Sequence, residues 1–228
     1  MIGTILLDAF GTLFDTSELH VEATKRILDN HNLDIDPSDF HTKWDEIIVD
    51  QWKGYNFKML WPMFEECLEK TFRFYGVDSF DTRAGIIEWL ELVAGADTFP
   101  EVIPTLDKLR SSYRLVILSN TDNYEINKVL QGSGLSFEAV ITSEDTKSYK
   151  PRKEIFDHAF SLLGVKPDET VIVGDSIGSD ILGAKNAGIK SIWINRYNRK
   201  LSADMPQPDI ALTDLSGLPE AIEKLNSN

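Results

Sequence analysis

Short, fully apolar runs alternating with helical stretches dominate the second half of this sequence, and that alternation restricts the fold more than any other feature. The runs are Leu115–Leu118, Ala139–Ile141, Thr170–Val173 and Ser191–Ile194. Around them, 3.6-residue periodicity predicts helices over Val102–Ser111, Tyr124–Leu130, Lys153–Leu163 and Ile181–Ala187. A run that is apolar at every position suits a strand covered on both faces, and strands separated by helices join in parallel. Thr4–Leu7 is a run of the same kind near the N-terminus, and Ile210–Leu212 with Leu218–Leu225 adds a last strand and helix. The expectation is an α/β fold with a doubly wound parallel sheet.

Between the first strand and the next lies a stretch with no convincing strand. Val21, Thr24, Ile27 and Leu28 share one helical face, Pro37-Ser38-Asp39 marks a helix start, and Trp44, Ile47, Ile48 and Trp52 form a stripe after it. Met59–Tyr75 and Ile86–Val93 repeat the pattern. With 228 residues the chain is long for one minimal domain and short for two large ones. We therefore divide it into a sheet core of residues 1–15 and 98–228 and a helical insertion of residues 16–97. Trp44, Trp52, Trp61 and Trp89 all fall in the insertion, where their spacing makes them its core, with one or two reaching a pocket. Gly54-Tyr55-Asn56-Phe57 interrupts two of its helices and reads as a loop over the site.

The net charge of -14 argues against nucleic acid or an anionic membrane as partner, since both repel an acidic surface. It leaves open a phosphorylated small molecule, because a local metal ion and a lysine reverse the field inside a pocket. The single cysteine, Cys67, allows no intrachain disulfide and reads as a packed core thiol. No segment approaches the ~18 apolar residues of a membrane span. The expectation is a cytoplasmic protein acting as a monomer or homodimer.

Ligands of open parallel sheets bind beyond the carboxyl ends of the strands. Those ends carry Asp8, then Ser119-Asn120, then Thr142-Ser143 followed by Lys150, and Gly174-Asp175-Ser176 with Asp180 one turn later. A carboxylate such as Asp8 can attack phosphorus. Asp8 and Asp175 repel each other unless a hard cation lies between them, and Mg²⁺ prefers oxygen ligands. Ser119 suits a phosphoryl oxygen, and Lys150 brings positive charge to the transferring group. Asp180 can anchor Lys150 or hold metal-bound water, and Thr12 can brace the turn after the nucleophile.

These segments resemble the signature motifs of the haloacid dehalogenase (HAD) superfamily. Leu6-Leu7-Asp8-Ala9-Phe10-Gly11-Thr12-Leu13-Phe14-Asp15 is similar to its first motif and Leu118-Ser119-Asn120 to its second. Lys150-Pro151 is similar to the third, and Gly174-Asp175-Ser176 through Asp180-Ile181-Leu182-Gly183-Ala184 to the fourth. The resemblance implies a Rossmann-like core, a helical cap that closes over the substrate, and covalent catalysis by Asp8 with Thr12, Ser119 and Lys150. It places Gly11, Asn120 and Phe10 beside the substrate. It implies Mg²⁺ on Asp8, Asp175 and the Phe10 backbone carbonyl, with Asp180 behind them.

Phosphatases of the family carry a second Asp where this chain has Phe10. That acid protonates the leaving group, and losing it commonly costs on the order of 10²–10⁴-fold in rate. An aromatic residue there resembles the 2-haloacid dehalogenase branch, whose halide leaves without a proton. That branch uses a cap Arg where this chain reads Lys43-Trp44-Asp45-Glu46, a Tyr where it has Phe156, and no metal-binding Asp where it has Asp175. Three readings follow: a Mg²⁺-dependent phosphatase of a small phosphate ester, a 2-haloacid dehalogenase-type hydrolase with an ester on Asp8, and a weakly catalytic scaffold.

Other residues receive plainer expectations. His20 and His41 are conceivable proton donors, but read first as solvent-exposed helix residues. Asp122 and Asn123 suit either the ligand or the next helix start. Glu144-Asp145 reads as a solvated loop, and Arg196 and Arg199 as surface residues.

Overall fold

The computed structural model of the protein describes residues 1–53 and 56–227. Gly54 and Tyr55 of the interrupting loop lie outside the described residues. In chain order the elements are β1 (Thr4–Leu7), α1 (Leu19–Asn30), α2 (Pro37–Lys53), α3 (Leu60–Phe74), α4 (Thr82–Val93) and α5 (Val102–Leu109). They continue with β2 (Arg114–Ser119), α6 (Asn123–Ser133), β3 (Ala139–Thr142), α7 (Ser143–Thr146), α8 (Lys153–Leu163) and β4 (Thr170–Gly174). A π-helical turn, Ile177–Ile181, runs into α9 (Leu182–Ala187), and β5 (Lys190–Ile194), β6 (Ile210–Leu212) and α10 (Leu218–Ser227) close the chain.

Among the described residues, six strands form one sheet in the order β3-β2-β1-β4-β5-β6, all pairs parallel. The fold class is the expected one. The order reverses beside β1, so Leu7 stands level with Ile117 on one side and with Val173 on the other. Side chains alternate across a strand. Ile5 and Leu7 join a core with Val102 and Leu106 of α5, Ile126 of α6 and Ile222 of α10. Leu6, between them, joins the opposite core with Ile155 and Phe156 of α8 and Ala184 of α9. The apolar runs are continuous because helices cover both faces.

Helices α1 to α4 have a separate core. Ile27, Phe40, Trp44, Cys67 and Phe72 are fully buried in it, and Trp89 nearly so. Trp61 packs against this core half-buried. The stripe on α1 uses Ala23, Thr24, Ile27 and Leu28, with Val21 only half-buried. Burial raises the Cys67 thiol to about 11, as a packed thiol requires.

The helical segment leaves and rejoins the sheet at one place. Asp15 N donates to Asp97 O at 2.8 Å, and Phe14 makes an antiparallel bridge with Thr98. Two further bonds join it to the sheet's loops. Asp122 Oδ2 accepts from Leu60 N at 2.8 Å, and Tyr149 Oη donates to Lys58 O at 2.5 Å. Among the described residues no helix is long and apolar enough to cross a membrane.

Candidate active site

The reversal of strand order brings the ends of β1, β2 and β4 side by side, so residues far apart in sequence meet without strain. Asp8 follows β1 and is anchored by its own N–H to Val173 O at 2.9 Å. The chain then turns tightly: Leu13 N and Phe14 N both donate to Ala9 O, at 2.7 and 3.0 Å. Gly11 makes this turn with φ +84°, and a Cβ there would meet Asp175 Oδ2 at 3.0 Å. Glycine is needed for the dihedral and for the close approach of the two loops.

Lys150 is the centre of charge. Its side chain is 1% exposed, and its Nζ donates to Asp8 Oδ1 at 2.7 Å and to Asp180 Oδ1 at 2.6 Å. Burial works against its charge, yet Asp180 and Asp8 hold the ammonium well above its ordinary range. Asp8 receives two hydroxyls as well: Thr12 Oγ1 at 3.2 Å on Oδ2 and, more distantly, Ser119 Oγ at 3.5 Å on Oδ1.

Asp180 reaches Lys150 because the backbone after Ser176 opens into a π-helical turn, which carries one extra residue per turn and commonly marks a functional site. Ser176 N caps its second oxygen at 3.0 Å. Gly174 makes room for it, since a Cβ there would fall 2.2 Å from Asp180 Cγ.

Asp8, Asp175 and Asp180 each offer an oxygen within 4.8 Å of the others. Burial, then Asp8 and Asp180, push the Asp175 carboxyl up to about 7. Burial pushes Asp180 up to about 6, with Lys150 pulling the other way. Three carboxylates against the Lys150 ammonium and the exposed Arg199 guanidinium, 3.7 Å from Asp175 Oδ2, leave a surplus of negative charge in a partly dry site. A hard cation with oxygen ligands fits such a donor set.

A cavity of about 330 Å³ opens over Asp8 and Asp175. The helical segment supplies much of its wall, including His20, Trp52, Phe64 and Trp89, while Phe10 and Glu125 come from the sheet side. Two of the expected tryptophans thus reach the pocket, and Trp44 stays inside the helical core. Phe10 packs against the cores of both units, so the aromatic at this position joins them.

Several expectations change. Asn120 lines the cavity, but its side-chain amide is committed elsewhere: Oδ1 accepts from Lys150 N at 2.7 Å and Nδ2 donates to Lys150 O at 3.0 Å. It clamps the lysine's backbone. His20 is not a solvent-exposed helix residue. It stacks on Trp89 at 5.1 Å and lies 5.3 Å from the ring of His41. Burial and then His41 lower His20 to about 3, so it is neutral at pH 7 and has no imidazolium proton to give. Burial lowers His41 too. Glu144 and Asp145 do not form a solvated loop. They begin α7, where Glu144 Oε2 accepts from Asn123 N at 2.8 Å and Asp145 completes a capping box with Thr142. Asp122 turns to the helical segment through Leu60 N, as described above. Phe156 is fully buried in the sheet core, and a Cβ at Gly183 would strike its ring.

Arg196 also departs from the surface role. Its side chain is 10% exposed, pairs with Glu101 at 2.7 Å, and donates to Thr12 O at 2.8 Å. It braces the loop that follows Asp8. Arg199 is exposed as expected, though its guanidinium donates to Asp175 O. Sequence reasoning missed Glu125 altogether. It is 4% exposed in the first turn of α6 and faces the cavity. Its one signal was a place one turn beyond the end of β2.

Residues 2–188 match the haloacid dehalogenase-like hydrolases. The chain belongs to that family. Among HAD relatives, the N-acylneuraminate-9-phosphatase of Mus musculus is 32% identical over 129 residues, 55% of this chain and 52% of that protein. The match to those first relatives thus spans about half their length. The glyceraldehyde 3-phosphate phosphatase of Pyrococcus furiosus is 29% identical over 241 residues, 100% of this chain and 95% of that protein. Among solved HAD structures, the L-2-haloacid dehalogenase from Xanthobacter autotrophicus superposes with a TM-score of 0.81 at 21% identity, over 98% of this chain and 99% of that one. The putative HAD-hydrolase YfnB from Bacillus subtilis bound to magnesium gives 0.78 at 22%, covering 99% of both chains. At such identity these two structures speak for the fold alone.

Proposed function

We propose that this HAD hydrolase is a Mg²⁺-dependent phosphatase of a small phosphate ester, with Asp8 as nucleophile. The observation that carries the reading is the Lys150 ammonium held between Asp8 and Asp180, with Asp175 alongside. A carboxylate that attacks a dianionic phosphate needs positive charge on both partners. Asp8, Asp175 and the Phe10 carbonyl would hold Mg²⁺, and the bound ion would supply charge that a single lysine cannot. Asp8 then forms a bond to phosphorus as the ester P–O bond breaks, and water hydrolyses the aspartyl phosphate. Lys150 and Thr12 orient Asp8, Ser119 takes a phosphoryl oxygen, Gly11 and Asn120 border the phosphate, and residues 16–97 act as a cap that excludes water. Residues 1–15 and 98–228 are the catalytic core in this reading. The phosphatase names of relatives that span the whole chain support it. A metal-free dehalogenase would have no use for Asp175.

Phe10 favours one qualification of substrate. With no carboxyl at that position and His20 neutral, the handicap falls least on leaving groups that depart without a proton. The test is phosphate release from an aryl phosphate with Mg²⁺ and with EDTA. Activity should vanish with EDTA and fall at least ~10⁴-fold in Asp8→Asn. Full activity in that variant would sink the reading, and metal-independent halide release from 2-chloropropionate would replace it with the dehalogenase one.

A further inference from the structure

The cavity wall carries the opposite charge from the one a second anionic group would need. Besides the reacting carboxylates it is lined by Glu125 and by Asp45 of α2, and among the described residues no Lys or Arg lines it. His20, the one basic side chain there, is neutral at pH 7. Glu125 is the decisive group. It is 4% exposed, and its Oε2 has no hydrogen-bond partner among the described residues. A buried carboxylate oxygen without a donor is costly, and in a cavity wall it is a place where a ligand can supply the donor. Burial raises Glu125 to about 7, with Asp122 and Glu144 adding to it and backbone N–H groups at Glu125 and Asp122 working against it.

The apolar part of the wall is aromatic at Phe64, Trp52 and Trp89 and aliphatic at Leu60, Leu90 and Val93. The indole N–H groups of Trp52 and Trp89 are buried without partners and suit the hydroxyl or phosphate oxygens of a ligand, leaving the ring faces for its cation. Aromatic faces beside a buried carboxylate attract an ammonium group through the ring quadrupoles and by direct charge. A neutral polyol would supply donors to Glu125 but leave its charge uncompensated. A carboxylate or second phosphate would be repelled.

On the phosphatase reading, we infer that the substrate is a phosphate monoester whose leaving group carries a positively charged amine, and that Glu125 receives that amine. The phosphate lies at Asp8, the ammonium at Glu125, and the linking carbons against the aromatic wall. Asp45, exposed and lining the same cavity, adds to the field.

The experiment is a matched panel of esters. Phosphoethanolamine and glucosamine 6-phosphate carry the amine. Ethylene glycol monophosphate and glucose 6-phosphate are neutral matches, and phosphoglycolate and 6-phosphogluconate are anionic ones. For each set kcat/KM should fall on the order of 10-fold from amine to neutral ester, as loss of a charge-assisted hydrogen bond implies, and further for the anion. Glu125→Gln should cut the amine-to-neutral ratio by a similar factor. An anionic ester that equals or betters its amine match overturns the inference. So does a Glu125→Gln variant that slows every ester equally and shifts the pH profile, because Glu125 would then be acting on the leaving-group oxygen. If Glu125→Gln does not fold, the wild-type order alone decides. If an aryl phosphate is not hydrolysed at all, the phosphatase reading fails separately. Selectivity is then read from calorimetric binding of the same esters to Asp8→Asn protein, with the same order supporting the inference and the reverse order overturning it.

Discussion

Replacing Arg196 with alanine removes a brace that lies outside the reacting cluster yet touches its loop. The guanidinium makes an ion pair with Glu101 at 2.7 Å, donates to Thr12 O at 2.8 Å and to Gly11 O at 3.4 Å, and lies 3.4 Å over the ring of Phe99. The partners are 10% and 20% exposed, so the pair is largely shielded from solvent. A charge-assisted hydrogen bond contributes about 1.5–3 kcal/mol and a cation–π contact about 1 kcal/mol. One side chain makes all of these, so they do not add in full, and a loss of about 3 kcal/mol is the expectation. For a chain of this size that lowers Tm by roughly 6–12 °C. Urea denaturation measures the free energy. The loss should persist in about 0.5 M NaCl, because buried pairs are weakly screened. Arg196→Lys keeps the charge but not the fork, and should recover less than half. Steady-state kinetics should show kcat down about tenfold with a smaller change in KM, as Thr12 loosens its hold on Asp8. A loss below about 1 kcal/mol, or one that salt abolishes, would refute the argument that this arginine is a buried brace.

Two further expectations follow from side chains that sit between roles. Phe10→Asp supplies an acid where the pocket has a ring, so turnover of alkyl phosphates should rise ~10²-fold while aryl phosphates change little. The same change removes a contact to both hydrophobic cores and should lower stability by about 2 kcal/mol, read by urea denaturation; an equal gain for both ester types would contradict the missing-acid argument. Glu125 has a folded-state pKa of about 7 against 4.5 for the ordinary group, so it is protonated in both states at low pH and is harder to ionise in the fold. It therefore subtracts stability as pH rises from 4.5 to 7, by up to about 3 kcal/mol, and Glu125→Gln should be the more stable protein above that window. Parallel stability curves for the two proteins between pH 5 and 8 would show that the carboxyl is not buried as described.

The sheet and the cluster of candidate site residues at its edge were legible in the sequence for the same reason. Runs such as Leu115–Leu118 are apolar at every position only because both faces are covered. Once the strands are parallel, Asp8, Ser119 and Asp175 fall at one edge whatever the details of packing. What was not legible depends on contacts across long stretches of chain. Arg196 follows β5 as Asp8 follows β1, but its partners are Glu101 and the carbonyls of Gly11 and Thr12, and no local pattern points to them. Glu125 looks like any acid in a first helical turn until the helical segment covers it. His20 looks exposed until Trp89, on another helix, stacks against it. Asn120 stands at the cavity, yet its amide could be assigned to the Lys150 backbone only with the two strand ends in view.

The single attachment point of the helical segment has an evolutionary meaning. Asp15 and Asp97 are hydrogen-bonded neighbours, and Phe14 bridges Thr98. Everything between them is a closed excursion whose length hardly affects the strands on either side, because closure entropy grows only with the logarithm of loop size. Selection can lengthen, shorten or exchange that excursion while the hydrolytic edge keeps its register. Diversification of ligand choice can then proceed by graft at one seam, with a few contacts such as those of Asp122, Tyr149, Tyr124 and Lys128 to be refitted to each new occupant.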